Sequence, residues 1–98
     1  MRVVFSRQSQ IDLDEIWFYL YGESRSEDVA DRVINHIRET ALRLARNQLI
    51  GRSRAEDLGP NLRSIPSGRY VVFYSIVSNA VRIIRVLHGS RDARKLLM

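Results

Sequence analysis

A chain of 98 residues, 45% of them hydrophobic, has material for one small core and buries only about 60–65% of its unfolded surface. The absence of cysteine excludes a disulfide framework, thiol catalysis and zinc–thiolate sites, and fits a reducing cytoplasm. The net charge of +5, carried by 15 arginines and the single lysine Lys95, points to acidic partners, either nucleic acid or an acidic protein.

Arg2-Val3-Val4-Phe5 is β-prone and reads as the first strand. Leu13, Ile16, Trp17 and Leu20 recur with helical spacing. Asp12, Asp14 and Glu15 are expected near the start of that helix, at the positive end of its dipole, with Gly22 stopping it. Ser24-Arg25-Ser26-Glu27 reads as a capping box for a second helix, with Ser26 as a competing N-cap. Ala30, Val33, Ile37, Ala41 and Leu44 form its apolar stripe, and the helix is expected to reach about Asn47. So short a connection predicts an antiparallel helical hairpin.

Leu49 to Pro60 is punctuated by Gly51, Gly59 and Pro60 and reads as irregular. Leu62 to Ile65 is a short strand, followed by a Pro66-Ser67-Gly68 turn. Arg69 to Val77 and Ala80 to His88 are β-rich runs joined at Ser78-Asn79, a hairpin signal. With an even loop, Val71 is expected to face Val86 and Phe73 to face Ile84, forming the apolar side that meets the helices. The other side would carry Arg85 between Tyr70 and Tyr74, within cation–π reach and adding little to stability. The tail from Gly89 is polar, then apolar at Leu96-Leu97. No apolar run approaches the ~18 residues of a membrane span, and Met1 to Phe5 has no apolar signal-peptide core. The expectation is one α+β domain over residues 1–98, cytoplasmic and without a membrane partner.

The charge is uneven. Residues 1–39 carry a balance of −3 and residues 40–98 a balance of +8. The basic surface is therefore expected on the loop, hairpin and tail rather than on the helices.

Several ordered segments resemble the ParE branch of the RelE/ParE toxin superfamily. They are Asp12-Leu13-Asp14-Glu15-Ile16-Trp17-Phe18-Tyr19, Gly51-Arg52, Asn61 through Tyr70, Val72-Phe73-Tyr74, and Ile84 through Asp92. Gln48 departs from the proline common at the end of the family's second helix. The resemblance implies a RelE/ParE-like β-α-α-β-β-β fold, with a helical hairpin packed on a small, mainly antiparallel sheet. It also implies a cognate ParD-like antitoxin that forms a hetero-oligomer with the toxin and covers its groove. The implied target is DNA gyrase, trapped in a cleavage complex with DNA.

The RelE branch instead cleaves mRNA on the ribosome, which requires a general base, a general acid and cations for the phosphate. Glu56, Arg63, Arg69, Arg85, His88 and Arg91 are the candidates; Arg63, Arg85 and His88 are the set a nuclease would use. The lysine cluster of that branch has no counterpart, so no catalytic residue is assigned and binding is the first reading. Arg63, Arg69, Arg85, His88 and Arg91 are the expected target contacts, with direct nucleic-acid contact left open. Trp17, Phe18, Tyr21, Tyr70 and Tyr74 are the expected antitoxin contacts. His36 and His88 stand apart without a carboxylate cluster, so neither a metal nor a cofactor is expected.

Overall fold

The computed structural model describes residues 1–97. In chain order the elements are β1 (Arg2–Phe5), α1 (Arg7–Ser24), α2 (Glu27–Arg43), β2 (Arg52–Ser53), β3 (Arg63–Ser67), β4 (Tyr70–Val77), β5 (Ala80–His88) and α3 (Ala93–Leu97). The sheet runs β1-β5-β4-β3-β2, with β1 parallel to β5 and the other pairs antiparallel. The expected α+β architecture is present. β2 and α3 are additions to the expected order.

Ser6 ties the first strand to the first helix. Its N–H donates to the Ile83 carbonyl at 2.9 Å and its hydroxyl donates to the Ile84 carbonyl at 2.9 Å. The same hydroxyl oxygen accepts the Ser9 N–H as the N-cap of α1. The helix therefore begins at Arg7, earlier than the acids predict, and its first turn holds no acidic residue. It also runs through Gly22. Arg25 takes the left-handed position at φ 56, while the Ser24 hydroxyl donates to the Leu20 carbonyl at 2.7 Å and accepts the Ser26 N–H. That local capping makes a glycine stop unnecessary. Ser26 N-caps α2 by accepting the Val29 N–H. This helix ends at Arg43 rather than Asn47, because the N–H groups of Leu44, Ala45 and Arg46 bond only three residues back.

The helical hairpin packs on one face of the sheet. Leu13, Ile16, Ile34, Ile37, Ala41 and Leu44 meet Tyr70, Val72, Tyr74, Val81, Ile83 and Val86. Each large apolar side chain buried there is worth about 1.5–3 kcal/mol. The opposite face carries a smaller cluster of Leu58, Phe73 and Leu87, covered in part by Val71, Ala93 and Leu96.

This reverses the expected assignment of β4, while Val86 of β5 faces the helices as expected. The Ser78-Asn79 turn has φ of 49° and 62°, the pair of positive angles a tight hairpin requires. Near it the register is as expected, with Ile76 opposite Val81 and Tyr74 opposite Ile83. An irregularity then shifts the pairing, so that Phe73 faces Arg85 and Val72 faces Val86. The extra β5 residue is Ile84, whose carbonyl is held by Ser6. Val86 thereby stands beside Val72 on the helix-facing side, while Phe73, alternating with Val72 and Tyr74 along β4, lies on the other. The cation–π contacts are also elsewhere, with Arg38 over Phe5 and Arg54 over Phe73, each at 5.6 Å.

Pro66 lies inside β3 rather than in a turn, opposite Val71. It is tolerated because β2 pairs only with Arg63 and Ser64, leaving Pro66 at a local edge.

Candidate partner-binding groove

A groove of about 1050 Å³ opens between the helical hairpin and the end of the sheet where β3 turns into β4 and β5 finishes. Its floor is apolar, built from Ile16, Leu20, Val33, Tyr70 and Val86. Its rim is cationic. Arg32 and His36 come from α2, Arg69 from the β3–β4 turn, Arg85 and His88 from β5, and Arg91 from the segment after it. The acids on the lining are Asp12 and Glu15.

Local backbone geometry gathers the rim. Gly68, at φ 59, makes the tight turn that presents Arg69. The Gly89 N–H donates to the Arg69 carbonyl at 2.8 Å, and a Cβ on Gly89 would sit 3.3 Å from that oxygen. The Arg91 N–H bonds the His88 carbonyl at 2.9 Å. Arg69, His88 and Arg91 are thus brought together and all are exposed. His88 Nδ1 accepts the Ser90 N–H and lies 2.8 Å from the Ser90 hydroxyl, so a neutral ring carries its proton on Nε2. The ring stands edge-on to Tyr70 at 5.4 Å. Burial pushes the Tyr70 hydroxyl pKa above its ordinary value.

Arg85 touches the groove but is committed elsewhere. Its Nε and Nη2 donate to the Asp12 carboxylate at 2.8 and 2.9 Å, and its Nη1 donates to the Leu96 carbonyl. The Asp12 hydrogen bond holds the Arg85 pKa above its ordinary value. Arg63 is not on the groove at all. Its Nη2 donates to the carbonyls of Leu49 and Gly51, fastening the loop after α2, while its Nε is buried without a partner. Glu56 is exposed and lies off the groove. Of the three residues a nuclease would use, only His88 makes no side-chain hydrogen bond to another helix or strand among the described residues.

The expected antitoxin contacts divide in the same way. Tyr74 is fully buried, its hydroxyl donating to the Gln48 carbonyl and accepting the Gly51 N–H. It is a core residue, not a docking one. Tyr70 is 8% exposed and reaches the groove only as part of its floor. Trp17 is half-buried, with its indole N–H on Asp31 at 2.8 Å. It stacks on Tyr21 and meets Phe18 edge-on. Phe18, 69% exposed, and Tyr21 lie on the outer side of α1, away from the groove.

Residues 3–93 match the model of the ParE toxin of the type II toxin–antitoxin system parDE. The chain belongs to this ParE toxin family. No curated protein sequence matches it. Among solved structures it is similar to a chain of the chromosomal ParDE toxin–antitoxin system from P. aeruginosa. That match has a TM-score of 0.77 at 19% identity, covering 90% of this chain and 95% of the other. It is also similar to a chain of the RelBE2 toxin–antitoxin complex from Mycobacterium tuberculosis. There the TM-score is 0.67 at 24% identity, covering 89% and 95%. At these identities the likeness is one of fold. Membership of the ParE family makes the chain a type II toxin, and the RelE/ParE-like fold accords with it. No helix among the described residues is long and apolar enough to cross a membrane.

Asp12, Arg32 and His36 were not expected in the groove. Arg32 and His36 lie at i, i+4 on α2, so a shared helix face was readable. Nothing local marks Asp12, whose partner Arg85 is 73 residues away in sequence.

Proposed function

We propose that this ParE-family toxin acts by binding rather than by chemistry, blocking DNA gyrase as a trapped gyrase–DNA cleavage complex. A ParD-like antitoxin neutralises it by seating an acidic, partly apolar segment in the groove. The observation that carries this reading is the groove itself, an apolar floor ringed by Arg32, Arg69, Arg85, Arg91 and two histidines. Such a surface attracts carboxylates or phosphates and buries apolar side chains between them. Family membership supports an antitoxin partner, and the gyrase target is what the ParE resemblance implies. The structural use of Arg63 and Arg85 supports a binding role, because RNA cleavage would need both as free cations to neutralise the phosphate beside His88. Arg69, His88 and Arg91 are the contacts assigned to target and antitoxin alike.

The test combines a gyrase supercoiling assay with in-cell mapping of message integrity. Accumulated cleaved DNA with intact mRNA is the expected result. Cleaved mRNA with unaffected gyrase overturns it in favour of a RelE-like ribosome-dependent endoribonuclease.

A further inference from the structure

α1 has three distinct sides. Leu13 and Ile16 face the core, while Asp12, Glu15 and Tyr19 line the groove. The third side carries Ile11, Asp14, Phe18 and Tyr21, all exposed, and Arg25, also exposed, follows as the left-handed residue that closes the helix. The four helical positions are spaced 3-4-3, which is the heptad seam of a paired helix, and Arg25 stands one step further on at the helix end. Asp14 and Arg25 form no ion pair within the chain among the described residues. Gly22 lies beside the seam, inside the helix, where glycine lowers helix stability relative to alanine. A Cβ at Gly22 would meet nothing within 4 Å, so nothing in this chain's own packing calls for glycine there. A close-approaching second helix would.

We propose that the outer face of α1 is a self-association surface, on which a second copy of this chain docks its own α1 antiparallel about a two-fold axis. A two-fold interface must be self-complementary, each residue meeting a mate that it meets again by symmetry. One register of this seam satisfies that rule. Phe18 meets the partner's Tyr21 in two central layers, and Asp14 meets the partner's Arg25 in two flanking layers. Sliding the helices by one heptad in one direction sets Asp14 against the partner's Phe18 and brings Arg25 to Arg7. Charge therefore opposes that slide. The partner is a second copy because the stripe from Asp14 to Arg25 supplies both halves of these four layers, acid for base and ring for ring; Ile11 lies beyond them. The groove and its cationic rim stay open in such a dimer, since they lie on another side of α1. A single helix pair buries less than the roughly 1,600 Å² of a stable interface, so the dimer is weak and is sought from micromolar to millimolar chain.

Sedimentation velocity of the full-length chain across that concentration range tests the proposal. Asp14→Arg and Arg25→Asp should each weaken association about tenfold or more by setting like charges opposite one another. The double exchange should restore it to within about threefold of the parent chain, because the swapped charges pair again. Phe18→Asp should abolish association, and unchanged thermal melting of these exposed-site variants shows that the fold is intact. The proposal is overturned by a parent chain that stays monomeric throughout. It is equally overturned by a double exchange no better than its single components, or by association that survives Phe18→Asp. A monomeric toxin whose Phe18→Asp variant loses antitoxin affinity would assign the face to the antitoxin instead.

Discussion

The Asp12 carboxylate holds Arg85 through two guanidinium bonds at 2.8 and 2.9 Å and, with one of the same oxygens, receives the Val86 N–H at 2.9 Å. β1 pairs with β5 only as far as Ile83. Asp12 therefore satisfies the β5 edge just beyond the strand that covers it. The pair binds α1 to β5 at the register shift, and through Leu96 it also reaches α3. Asp12 is only 4% exposed, so its charge is stabilised by this geometry and not by water.

Removing either partner leaves the other half-satisfied. Asp12→Ala should lower stability by about 2–4 kcal/mol, and Arg85→Ala by a similar amount, since each strands a buried charge or donor. Urea unfolding would measure both. The double Asp12→Ala/Arg85→Ala variant should be less damaging than the sum of the two. Arg85→Ala is thus a stability variant and not a clean probe of toxicity. A loss below about 0.5 kcal/mol would place Arg85 on the surface as sequence alone suggests.

Tyr74 secures the loop after α2 from inside the core. Tyr74→Phe removes the bonds to Gln48 and Gly51 and should cost about 1–2 kcal/mol. Gly51→Ala should be at least as harmful, because its Cβ would lie 2.5 Å from the Tyr74 hydroxyl and 2.7 Å from the Ser64 carbonyl. Thermal melting of both variants checks this. Antitoxin affinity measured at a temperature where both remain folded should be unchanged.

Arg69 and Arg91 are exposed on the groove rim. Arg69→Glu and Arg91→Glu should alter stability by no more than about 0.5 kcal/mol. Each should nevertheless weaken antitoxin binding about tenfold or more, with a smaller effect at high salt. Calorimetric titration with the purified antitoxin at two salt concentrations would read both effects.

Asp57 accepts a bidentate grip from Arg54, at 2.7 Å to Nη2 and 3.1 Å to Nε. The hydrogen bond from Arg54 lowers its pKa below the ordinary 3.8. A depressed carboxylate stabilises the fold above its unfolded pKa, and that contribution fades as pH falls below 3.8 through the folded value. Asp57 is solvent-exposed, so the effect is small. Asp57→Asn should flatten the acid limb of the stability curve slightly and leave stability near pH 7 almost unchanged, as denaturant melts at stepped pH would reveal.

What the chain determines locally was legible without coordinates. β1, the two helices and the Ser78-Asn79 hairpin follow from 3.6-residue periodicity, β-branched runs and turn chemistry, all carried by neighbours in sequence. The concentration of arginine in the second half foretold a cationic surface, and Arg69, His88 and Arg91 do meet on the groove rim. What escaped was set by distant partners. β2 and α3 are too short to show a period. The side on which the end of β5 falls depends on a register shift at Ile84, held by Ser6 and bordered by Asp12 from the other end of the chain. A side-chain period of two turns one extra residue into an exchange of faces. Tyr74 is core, and Arg63 and Arg85 are fasteners, through partners far away in sequence, Gln48, Leu49 and Asp12, so only folding separates the arginines that hold the molecule together from those left to meet a partner.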